Sequence, residues 1–133
     1  MTEAEFKQLA SEGFNRIPLV LETFADLDTP LSVYLKLANV PYSYLLESVQ
    51  GGERFGRYSF IGLAAATRIQ AVANHVSVIH GESVIEETEA EGPLDFVRSY
   101  LARFKVAAVP GLPRFCGGLA GYFGYDVVQG IEP

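Results

Sequence analysis

Residues 44–63, YLLESVQGGERFGRYSFIGL, constrain the fold more than any other stretch. Two runs of alternating apolar and polar residues flank a paired-glycine segment. In YLLESV, Leu45 and Glu47 fall on one face of a strand and Leu46 and Ser48 on the other. In RYSFIG, Arg57, Ser59 and Ile61 share one face, and Tyr58 and Phe60 share the other. Gly51 and Gly52 supply the conformations that a reversal needs. The pattern predicts two antiparallel neighbours that bring Glu47 and Ser48 toward Arg57 and Ser59. An anion partner, a cation partner and hydroxyls beside apolar residues suit a zwitterion with a greasy side chain, such as an amino acid. A half-buried hairpin braced by a Glu47–Arg57 ion pair satisfies the same pattern.

The rest of the chain predicts an α+β fold, with a largely antiparallel sheet and packed helices. Thr2 and Glu5 make a capping box ahead of a short stripe of Phe6, Leu9 and Ala10, and Gly13 stops the helix. Residues 17–24 read as a strand entered at Pro18. Asp28-Thr29-Pro30 starts a helix whose apolar positions are Leu31, Tyr34, Leu35 and Ala38. Residues 65–73 and 76–80 read as strands around an Asn74-His75 turn, and residues 83–87 add another after Gly81-Glu82. Gly92-Pro93 opens a helix with a core stripe of Val97, Tyr100, Leu101 and Phe104. Glycines and aromatics in residues 117–125 predict a central strand packed against a helix, or one leading to a partner domain.

Composition excludes several functions. Of 133 residues, 49% are hydrophobic and 20% charged, which is enough to bury a core within a single domain spanning residues 1–133. The net charge of −6 and the scattered cations argue against a nucleic-acid partner and against an anionic membrane surface. Cys116 is the single cysteine, which fits a reducing cytoplasm, and its apolar run predicts inert packing. Glu86, Glu87, Glu89 and Glu91 read as a solvated acidic loop without a metal-ligand pattern. His75 and His80 match no zinc spacing, and no serine or cysteine has a recognisable base. No catalytic residue is assigned.

LLES followed by GGERFGRYSFIG, with GGLAGYFGYDVV downstream at residues 117–128, resembles the N-terminal region of anthranilate synthase component I. That protein is the large subunit, in the chorismate-utilising enzyme family. The resemblance implies a regulatory, tryptophan-sensing region of a longer protein, with the chorismate-binding catalytic region absent and no activity alone. It implies that Ser48 contacts L-tryptophan, with Glu47 and Leu46 in the same motif. Arg57 lies where such proteins often place a basic residue, and Tyr58 and Ser59 are adjacent candidates. The parent reaction converts chorismate and glutamine-derived ammonia to anthranilate and pyruvate with Mg2+. It is the first committed step of tryptophan biosynthesis, and a glutamine amidotransferase subunit (component II) is the partner. Alternatives are the N-terminal region of aminodeoxychorismate synthase component I, a stand-alone small-ligand module, and an interaction domain that binds nothing small. Self-association of the chain is a further expectation.

Overall fold

The structure, a computed structural model, describes residues 1–50, 54–113 and 115–125, without the side chains of residues 48–50 and 54–57. Helices α1 (Glu3–Ser11), α2 (Pro30–Leu37) and α3 (Pro93–Leu101) accompany two antiparallel sheets. One pairs β1 (Tyr44–Gln50) with β2 (Arg54–Gly62). The other has the order β3 (Thr67–Val72), β4 (His75–His80), β5 (Ser83–Glu89). The fold is α+β, as the pattern predicts. The chain groups into two units. The first comprises Met1–Leu21, Gln70–Ser77 and the described residues from Glu86 onward, and the second Glu22–Ile69 and Val78–Ile85.

In the first unit, local chemistry sets both ends of α1. Thr2 N–H donates to Glu5 Oε2 at 2.6 Å, and Glu5 N–H donates to Thr2 Oγ1 at 3.3 Å. Each bond satisfies a backbone donor that the first helical turn leaves unpaired. Gly13, at φ 85°, ends the helix in the left-handed region that a glycine enters without steric cost. The chain then meets the segment after α3. Asn15 Nδ2 donates to Arg103 O at 2.8 Å, and Asn15 Oδ1 accepts from Lys105 N–H at 2.7 Å. Lys105 Nζ reaches back to Glu12 O at 2.9 Å, near the carbonyl end of α1.

Between the chain after α1 and the segment after α3, the described residues form one parallel bridge, Arg16 with Val106. The strand expected at residues 17–24 does not form. Pro18 lacks a ladder donor, and the Val106 pairing ends after one bridge. Leu21 and Phe24 stay 92% and 95% exposed.

In α3, Phe96 is the buried residue, while Leu101, expected in the core, stays 42% exposed. The aromatic series decides which face turns inward. Phe96, Tyr100 and Phe104 follow at four-residue spacing, with ring centroids 6.0 and 5.4 Å apart.

Val76 and Val78, the most deeply buried large side chains, alternate along β4 as a half-buried strand requires. The β3–β4 turn lies at Ala73 and Asn74, one residue earlier than expected, with Ala73 at φ 51°. His75 therefore belongs to β4. The acidic run is also strand rather than loop as far as Glu89.

Residues 115–125 form no strand, contrary to the sequence pattern. Gly117 and Gly118 stand at φ 145° and 137°, which turns the backbone out of the extended region. Tyr122 and Tyr125 are 93% and 89% exposed, and Cys116 is exposed rather than packed. The rest of the 117–128 segment, from Asp126 onward, lies outside the described residues.

In the second unit, Thr29 caps α2 through a reciprocal pair with Ser32, at 2.9 and 3.1 Å, with Pro30 in the first turn. Asp28 Oδ1 accepts from Lys36 Nζ at 2.6 Å and from Ser32 Oγ at 2.7 Å. These two bonds, that from Lys36 first, hold its carboxyl below the usual range. Ala38, just past the helix, is buried.

The β1–β2 pair then begins with Tyr44 opposite Gly62. A Cβ built at Gly62 would lie 2.1 Å from Cε1 of the Tyr44 ring, far inside contact distance. The glycine is thus the space that the ring occupies. Gly62→Ala, which on backbone grounds alone would stabilise a strand, is expected instead to destabilise the chain by about 1–3 kcal/mol through overpacking. Urea denaturation measures the sign.

Candidate functional site

The β1–β2 register decides which candidate residues meet. Leu45 opposes Ile61, Leu46 opposes Phe60 and Glu47 opposes Ser59. Directly opposed residues share a face, with Cβ atoms ~4.5–5.5 Å apart. Glu47 and Ser59 therefore lie together on the face of Leu45 and Ile61. Leu46 lies with Phe60 and Tyr58 on the other face, where the Tyr58 and Phe60 rings are 6.1 Å apart.

The register then changes. The next pair is Val49 with Phe55, so Ser48 alone stands across from Gly56, Arg57 and Tyr58. Such an expansion bends the strand that carries the surplus residues and re-aims its side chains. At the level of the backbone, Ser48 and Arg57 are brought to the same place in the ribbon. Their side chains lie outside the described residues.

Leu46, Glu47, Tyr58 and Ser59 are all exposed. Among the described residues, Glu47 makes no ion pair and no side-chain hydrogen bond. Its carboxylate can accept a hydrogen bond from a ligand cation without first breaking an internal one.

The turn feeding β1 was not singled out by sequence. Pro41-Tyr42 reverses the chain with Tyr42 at φ 64°. Arg68 Cζ sits 3.8 Å from the Tyr42 ring centroid. Pro41 marked a turn, but no spacing rule links Tyr42 to Arg68.

A second cluster lies on β4 and β5. His75 Nδ1 is 3.0 Å from Glu89 Oε1, and its Nε2 is 3.6 Å from Glu87 Oε1. Sequence reading found no histidine near these carboxylates. The one-residue shift of the turn brings it there. Glu86 instead binds Arg103 through both carboxylate oxygens, at 2.5 and 2.7 Å, and its pKa is lowered chiefly by that hydrogen bonding. No three His, Cys, Asp or Glu among the described residues form a group able to hold a metal ion. A hollow of ≈ 390 Å3 between α1 and residues 108–110 contains one carboxylate, Glu5, already engaged by Thr2. Neither place brings together a nucleophile and a base.

The hydrogen bond with Glu89 leads the causes that raise the His75 pKa above its ordinary 6.5, with the charges of Glu89 and Glu87 adding to it. A group whose folded pKa is raised contributes stability below its unfolded pKa. That contribution is lost as pH rises through the folded value. His75→Gln is expected to lower the thermal midpoint at about pH 6 and leave it unchanged at about pH 8.5, read from paired melting curves.

No family model matches the chain, and no solved structure does. Curated relatives do. The chain is 58% identical to anthranilate synthase component 1 of Pseudomonas putida over 132 residues, 99% of this chain and 27% of that protein. It is 53% identical to the protein of that name from Neisseria meningitidis serogroup B, with the same coverage. The Acetivibrio thermocellus protein of the same name is 34% identical over 125 residues, 94% of this chain and 25% of its own length. The chain spans about a quarter of the length of these relatives. No helix among the described residues is long and apolar enough to cross a membrane. By sequence, the chain is thus related along nearly its whole length to an N-terminal region of anthranilate synthase component 1.

Proposed function

We propose that this chain is the regulatory, tryptophan-sensing segment of an anthranilate synthase component 1. It forms one wall of an L-tryptophan feedback site on β1–β2. The observation that carries this reading is the register, with Glu47 opposite Ser59 and Ser48 opposite the 56–58 expansion. Glu47 accepts from the ligand ammonium, Ser48 adds a hydrogen bond, and Arg57 receives the carboxylate. Leu46 and Tyr58 lie on the other face of the ribbon and reach the ligand only around the 56–58 expansion.

The relatives are nearly four times as long as the matched stretch, which supports placing the rest of the pocket and the chemistry elsewhere in the protein. There, chorismate and ammonia released from glutamine by an amidotransferase subunit become anthranilate and pyruvate. The Mg2+ of the parent reaction belongs with that chemistry, in the rest of the protein. The chain alone is inactive. Its single cysteine suits a reducing cytoplasm.

An incomplete pocket binds weakly. Two missing charge-assisted hydrogen bonds, at roughly 1.5–3 kcal/mol each, lower affinity more than a hundredfold. Millimolar L-tryptophan is expected to shift the amide resonances of Glu47, Ser48 and Ser59, while L-alanine leaves them in place. Ser48→Ala is expected to weaken that response about tenfold. Unmoved β1–β2 amides refute the site, and micromolar affinity by calorimetry refutes the missing wall.

Leu21, Phe24, Tyr122 and Tyr125 are almost fully exposed. Apolar surface of this kind favours association of the isolated chain. Light scattering through a dilution series is expected to show species larger than a monomer.

A further inference from the structure

We propose that Tyr42 and Arg68 form a latch that fixes the entry of β1, and so position residues 46–48. Tyr42 and Ala73 are the two described non-glycine residues at positive φ, 64° and 51°. Ala73 sits in a two-residue hairpin turn, where that conformation suits the twist of the flanking strands. Tyr42 carries a bulky ring in a region that L-residues disfavour, in a turn that glycine or asparagine would make without strain.

What holds it there is visible. Tyr42 O accepts from Ala65 N–H at 3.0 Å. The Arg68 guanidinium lies over its ring at 3.8 Å, and Arg68 Nη2 donates to Gly81 O at 3.0 Å. One guanidinium thus both bonds the carbonyl of the β4–β5 turn and lies over the ring.

The next residues pass this restraint into β1. Ser43 Oγ donates to Val40 O at 2.7 Å and lies 3.1 Å from Tyr34 Oη of α2. Tyr44 then opens the strand with its ring in the space over Gly62. From this pair the register runs unbroken to Glu47–Ser59 and changes only at Ser48. A slip at the entry would send each of these residues to the opposite face. The end of the ribbon nearest the latch therefore sets what the other end presents.

Amide hydrogen exchange on the whole chain tests the latch. In Arg68→Ala, exchange at Leu45, Leu46 and Glu47 is expected to quicken about tenfold, while Val76 and Val78 change less than about twofold. Arg68→Lys, which keeps a cation over the ring, is expected to restore most of the protection. Tyr42→Gly separates the ring from the backbone. If the ring matters, β1 exchange quickens although the turn has become easier to make.

Unchanged β1 exchange in Arg68→Ala, or equal quickening in both sheets, overturns the proposal. So does a Tyr42→Gly chain with β1 protected as in the parent. The positioning role rests on the tryptophan reading, and Arg68→Ala is expected to weaken the L-tryptophan response about fivefold. Should the parent chain show no such response, that reading fails, and with it the positioning role. The exchange data still decide whether the latch exists.

Discussion

Tyr44 lying across Gly62 is the contact on which the candidate site depends. A two-stranded ribbon has little apolar area with which to oppose the entropy of ordering its chain, and such ribbons are marginal alone. Register in a ribbon is specified where something distinguishes one alignment from its neighbours. Here the distinction is steric. A ring on one strand fits over the residue of the other that has no side chain. Any shift by one residue places Tyr44 opposite Ile61 or Leu63 and leaves Gly62 uncovered.

From that fixed end, alternation assigns every later side chain until the 56–58 expansion. Chemistry of two kinds therefore lies on two faces, Glu47 with Ser59 on one and Leu46 with Phe60 on the other. The expansion occurs where Ser48 stands. A regular ladder cannot aim residues of both faces at one ligand. Surplus residues on one strand release that constraint locally, because they are the positions whose direction the pleat no longer dictates.

The sequence made some of this legible and hid the rest for physical reasons. The Thr2–Glu5 cap, the Asp28-Thr29-Pro30 helix start, the Gly13 stop and the two alternating runs of the ribbon, whose Gly51-Gly52 reversal lies outside the described residues, are governed by neighbours within a few residues. Local chemistry is written in local sequence. Residues 17–24 and 117–125 have strand-like composition, yet neither forms a strand. A strand is completed by a partner's donors and acceptors, and composition records only readiness to pair. On α3 the expected Val97, Tyr100 and Phe104 are half-buried, but the spacing did not mark Phe96, which the aromatic series turns inward while Leu101 faces solvent. The turn at Ala73-Asn74 shows how a small error changes chemistry. One residue of displacement converts His75 from a turn residue into a strand residue between two carboxylates.

Two observations that differ in kind bear on how the chain is used. Identity of 58% along 99% of the chain relates it to a protein of which the match covers 27%. Independently, the structure leaves its strand-like apolar segments unpaired, with Leu21, Phe24, Tyr122 and Tyr125 facing solvent. Scattered exposed apolar residues are ordinary, but whole runs of strand-forming residues without ladder partners are not. The same segments that sequence reads as strands are those the described residues cannot pair. Strands at these places would need donors and acceptors that the described residues do not provide. The β1–β2 ribbon needs no such help for its register, because Tyr44 and Gly62 supply it within the chain.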